Sequence, residues 1–103
     1  MNANEEKKPT VPATPLVATR GVTAWSAKEL NRILWLGSLI DRFMGGDWGD
    51  MCSEDWQLND DALRVGNRVL GAYDPPEHLK GKKVYIILEA DRSVITILFY
   101  DEY

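Results

Sequence analysis

The chain is 103 residues long, with 45% apolar residues, ten aromatic rings and a net charge of −4. This is enough for one small hydrophobic core and too apolar for a disordered chain. One cysteine (Cys52) excludes an internal disulfide, and one histidine (His78) speaks against a His/Cys metal centre. No apolar run nears the ~18–20 residues of a membrane span, and the polar start Met1-Asn-Ala-Asn-Glu-Glu-Lys-Lys8 lacks the apolar stretch of a signal peptide, so a cytoplasmic setting is expected.

Residues 1–15 are polar, with Pro9, Pro12 and Pro15 at three-residue spacing. They predict a disordered or extended arm ahead of a single domain at 16–103. Leu16 to Thr23 reads as a short strand with Gly21 as a break or bulge. Ser26-Ala-Lys-Glu29 has the form of a capping box, opening a strongly apolar helix that runs to about Met44 and stops at Gly45-Gly46. With Leu30, Ile33, Leu34, Trp35, Leu36, Leu39, Ile40 and Phe43 in it, that helix is expected to be largely buried. A second helix is predicted from about Ser53 to Val65, closing at Gly66, with Trp56, Leu58, Ala62, Leu63 and Val65 inward and Glu54, Asp55, Asp60 and Asp61 outward.

Beyond Gly66 the apolar period changes to two. Strands are predicted at 67–73, 83–89 and 94–100, with a tight hairpin at Ala90-Asp-Arg-Ser93. The expected fold is α+β: two helices on a three- to four-stranded antiparallel sheet, in the order β-α-α-β-β-β. The last two strands are apolar on both faces, where an antiparallel sheet usually wets one. Either the N-terminal segment or the second helix covers the other face, or it meets a partner or a second copy.

Charge is unevenly spread. Between Asp41 and Asp61 lie Asp41, Asp47, Asp50, Glu54, Asp55, Asp60 and Asp61 against Arg42 alone, a local −6. Such a surface repels nucleic acid and anionic membranes and suits a basic protein. Asp47 and Asp50 do not have the spacing of a calcium loop; loop hydrogen bonds are the favoured reading for them, with magnesium ligation as the competing one. For Glu54, Asp55, Asp60 and Asp61 a solvated face and a partner face compete evenly, and Trp48 and Trp56 are open between core and contact. Nothing resembles a nucleophile elbow, and His78 has no orienting neighbour, so catalysis is not expected. Arg92 at the hairpin tip either joins a turn network or reaches out to a partner.

In order, Gly46-Asp-Trp-Gly-Asp50, Glu54-Asp55, Asn59-Asp60 with Ala62-Leu63, Glu89-Ala-Asp-Arg-Ser93, Thr96 and Glu102-Tyr103 resemble a family of short proteins carried on plasmids, prophages and integrative elements. Some members of similar size and motif order are anti-CRISPR inhibitors of the type II effector nuclease. The chain departs from the family at Leu88, where threonine is common, and at Phe99-Tyr100-Asp101, where Leu-Pro-Glu is frequent. The resemblance implies a non-enzymatic inhibitor in a bacterial host, without cofactor or metal, whose partner is the effector protein or the effector–guide complex. Asp47, Asp50, Glu54, Asp55, Asp60, Asp61 and Arg92 are the candidate partner-binding residues on charge, their acidic face standing in for phosphates. The alternative is a non-enzymatic homodimeric interaction module of a mobile element.

Overall fold

A computed structural model describes residues 10–103. Strand β1 (Leu16–Ala18) leads into helices α1 (Arg20–Ser26), α2 (Leu30–Met44) and α3 (Ser53–Val65), and strands β2 (Val69–Tyr73), β3 (Val84–Leu88) and β4 (Ile95–Phe99) follow. The fold is α+β, with three α-helices among the described residues rather than two. The sheet order is β1-β4-β3-β2. The β2-β3-β4 meander is antiparallel as expected, but β1 lies parallel to β4, with Leu16 opposite Ile95. The sheet is therefore mixed, not purely antiparallel.

Alternation along the strands sends Val69, Tyr73, Val84, Ile86, Leu88, Ile95, Ile97 and Phe99 to one face. They share a core with Val22, Leu36, Leu39, Phe43 and Trp48. Trp25 meets Phe99 edge-on, as Phe43 meets Trp48. On the other face Ile87 and Leu98 are also buried. There Tyr103 sets its ring edge-on to Tyr85, 5.8 Å between centroids, and Arg68 lies over Tyr103 while donating to its hydroxyl at 2.7 Å.

The extra helix starts at a cap seven residues ahead of the expected one. Thr19, in extended conformation, accepts from the Val22 amide and starts α1. Ser26 is then the last residue of α1 and donates to the Thr23 carbonyl, so the expected capping box does not form. Glu29 precedes α2 without a side-chain cap and pairs with Arg32 instead. Gly21 falls in the first turn of α1, where any side chain would overlap the Glu102 carboxylate. One oxygen of that carboxylate accepts from Thr19 Oγ1 and from the Phe99 amide, both at 2.8 Å, which ties the chain end to the β1–α1 junction.

Residues 1–9 of the expected arm lie outside the described residues. Thr10 to Pro15 carry no helix or strand, yet Val11 is buried in the core and its amide donates to the Met44 carbonyl. Helix α2 is not buried all round. Arg32, Leu36, Leu39 and Phe43 face inward, whereas Leu30, Ile33 and Leu34 keep 68%, 49% and 61% of their surface.

Candidate functional site

Strand β2 is an edge, and an unpaired edge invites association with other chains. The segment from Asp47 to Asp60 closes it. The Leu70 amide donates to Asn59 Oδ1 at 3.1 Å, and the Leu70 carbonyl accepts from Asn59 Nδ2 at 2.8 Å, so one buried side-chain amide acts as a strand neighbour. Two residues on, the Ala72 amide donates to the Trp48 carbonyl and the Ala72 carbonyl accepts from the Asp50 amide, making a short parallel bridge at Gly49. The Asp74 amide then donates to Asp50 Oδ2 at 2.8 Å. Gly49 makes this approach at φ +85, and a Cβ there would run into the Ala72 carbonyl and the Tyr73 ring.

Three of the six acidic candidates belong to this closure. Asp47 accepts from Arg42 Nε at 2.8 Å and from the Gly49 amide at 3.0 Å, and its carboxylate raises the pKa of the Arg42 guanidinium. Asp50 holds Asp74. Asp60 accepts the indole N–H of Trp48 at 2.8 Å, and Trp48 is fully buried. Asp47 and Asp50 make the loop hydrogen bonds favoured for them, and Trp48, open between core and contact in the sequence, lies in the core. Tyr73 also donates to the Asp47 carbonyl at 2.7 Å.

Burial pushes the pKa of Tyr73 upward, and the charges of Asp47 and Asp50 add to this against Arg42. A folded-state pKa above the unfolded value gives stability that is complete below the unfolded pKa of about 10 and is lost as pH rises through the folded value. Stability should therefore fall above pH ~10, by up to ~1.4 kcal/mol per pH unit from this group. Tyr73→Phe should cost about 1 kcal/mol at pH 8 through the lost hydrogen bond and flatten the alkaline decline. Urea titrations at pH 8 and 10.5 check this; equal declines in both proteins would remove Tyr73 as the cause.

Arg92 does not project from its hairpin. At φ 60 it turns its guanidinium back, Nη1 donating to the Asn67, Glu89 and Ala90 carbonyls and Nη2 to the Ala62 and Leu63 carbonyls. It thus serves the last turn of α3, adding a donor at the Leu63 carbonyl and joining the Gly66 and Asn67 amides at the Ala62 carbonyl. The turn itself is as expected, Asp91 accepting from the Ser93 amide two residues ahead; hydrogen bonding from the Ser93 hydroxyl, and then from this amide, lowers the Asp91 pKa.

The remaining candidates form a surface. Glu54, Asp55 and Asp61 are exposed on α3, which ends at Gly66 as predicted, with Gly66 in the left-handed conformation. Glu54 and Asp55 occupy the first turn, favoured by the helix dipole, and have no ion pair among the described residues. Asp61 accepts from Gln57 and Arg64. Leu58 and Val65, expected inside, keep 64% and 70% of their surface, because Asn59 takes the inward position at β2. Glu54, Leu58, Asp61 and Val65 follow one another at spacings of four, three and four, one stripe along the helix. The acids stand out in the sequence; the outward place of the aliphatic pair does not.

The chain matches no protein-family model, no curated protein and no solved structure. Among the described residues there is no pocket, no group of three or more His, Cys, Asp or Glu placed to hold a metal ion, and no helix long and apolar enough to cross a membrane. What the surface offers is a convex helix carrying carboxylates around two aliphatic side chains.

Proposed function

We propose that the protein is an inhibitor that binds a nucleic-acid-handling protein, with the type II CRISPR effector or its guide complex as the first candidate, and that α3 is its contact face. The observation that carries this reading is the exposed stripe Glu54-Leu58-Asp61-Val65, with Asp55 beside it. An acidic solvated helix has no need of two large aliphatic residues at more than half exposure, whereas a partner face needs apolar anchors among its charges. An effector of this kind runs its heteroduplex and displaced strand through basic channels, and carboxylates at helical spacing occupy lysine and arginine sites that otherwise hold phosphates. Leu58 and Val65 take the anchoring role that Trp48 cannot fill from the core. Attraction between opposite charges speeds the encounter and weakens as salt rises.

The test is cleavage of target DNA by purified effector–guide complex, with the protein added before or after the DNA. Inhibition confined to prior addition is expected, because DNA already in the channel excludes the protein. No inhibition of any of several effector orthologues would remove the proposal.

A further inference from the structure

Helix α2 carries a second exposed surface, opposite its core face and separate from α3. Leu30, Ile33, Leu34, Gly37 and Asp41 fall at i, i+3, i+4, i+7 and i+11, so they form one ridge. The ridge has a direction. Its first half is bulky, its second half is small and polar at Gly37 and Ser38, and a side chain built on Gly37 would have nothing within 4 Å. Of the charges flanking the helix ends, Glu29 pairs with Arg32 and Arg42 with Asp47, which leaves Lys28 just ahead of the helix and Asp41 near its end, opposite in sign. Both are exposed, and neither has an ion-pair partner among the described residues.

A surface that is bulky and basic at one end, small and acidic at the other, is complementary to itself turned round. We infer that α2 is a homodimer interface in which two copies pack their helices antiparallel about a two-fold axis near Leu34. Leu30 of each copy then lies over Gly37 and Ser38 of the other, Ile33 and Leu34 meet their counterparts, and Lys28 of each faces Asp41 of the other. Such a contact is isologous and closed, so it makes dimers and not fibres. The sheet is a poor alternative interface, since Ile87 and Leu98 are already buried within one chain. The inference does not depend on what α3 binds.

One helix per copy lies at or below the low end of the ~1,200–2,000 Å² that stable complexes bury, so the dimer is weak and concentration-dependent. In sedimentation equilibrium on the full chain, the average mass should rise from 11.7 kDa at micromolar concentration toward about twice that approaching millimolar. Leu34→Asp should weaken association at least tenfold with an unchanged circular dichroism spectrum and melting temperature, because Leu34 is exposed in the single chain. Lys28→Glu and Asp41→Lys should each weaken it, and the double variant should restore it, since the two charges change places. A monomer at every concentration, a dimer indifferent to Leu34→Asp, or a double variant no better than the single ones would overturn the inference. So would a wild-type monomer whose Leu34→Asp variant lost inhibition, which would give the ridge to the effector.

Discussion

Trp48→Ala should destabilise the protein by about 3–5 kcal/mol, a large part of the ~5–15 kcal/mol that holds a domain of this size together. The indole is fully buried against Phe43, with ring centroids 5.3 Å apart, and its N–H satisfies Asp60. Alanine leaves a cavity and a carboxylate without its donor in the same place. The residue also supplies the carbonyl that receives the Ala72 amide, so loosening it frees the edge of β2. Urea denaturation with matched slopes gives the number, and a loss below 1 kcal/mol would mean that the loop holds the edge without its indole. Trp48→Phe should recover most of the packing and none of the bond to Asp60.

The second large effect is on function. Combined reversal of Glu54, Asp55 and Asp61 to lysine should reduce inhibition of the effector at least tenfold and leave the protein folded. The cost to the fold is about 1–2 kcal/mol, because Glu54 and Asp55 lose their favourable place at the positive end of α3. A Gln/Asn set at the same positions separates charge reversal from charge removal and should fall between wild type and the lysine variant. Asp60 must stay out of both sets, because it holds Trp48 and its reversal would report on folding. Full inhibition by the folded lysine variant would rule out charge as the basis of binding. Leu58→Ser, on its own, should weaken inhibition with little change in salt dependence.

The larger elements were legible because they are local. Helix α2 ends where Gly45-Gly46 stand, α3 ends at Gly66, and the β2-β3-β4 meander follows from alternation and short connections. What escaped depends on contacts distant in sequence. A short strand from Leu16 was expected, but that it stops at Ala18 and lies parallel to β4, almost eighty positions later, was not. Ser26-Ala-Lys-Glu29 satisfied the form of a capping box, but Thr19 and the Glu102 carboxylate started a helix upstream of it.

Within the candidate site, the acidic character of 47–61 was plain and its division was not. Asp47, Asp50 and Asp60 point at backbone, Arg42 and Trp48, which composition alone does not show. The places of Leu58 and Val65 were within reach. At 100° per residue Trp56, Asn59, Asp60 and Leu63 share one side and Glu54, Leu58, Asp61 and Val65 the other, so an inward Asn59 puts both aliphatics outside. The assumption that leucine and valine belong in the core hid this, and so did the absence of any reason, before β2 was placed, to bury an asparagine.

The closure of β2 splits one acidic segment into two kinds of position. Substitutions at Asp47, Asp50, Asn59 and Asp60 disturb the sheet margin, whereas single changes at Glu54, Asp55, Leu58 and Asp61 on the same short stretch cost the fold much less. A comprehensive substitution library selected for folding alone should show these two tolerances alternating at helical intervals through α3. On the proposal that α3 is the contact face, selection for a new target has a handful of positions to rewrite without disturbing the scaffold, so specificity can drift quickly on a domain that stays the same.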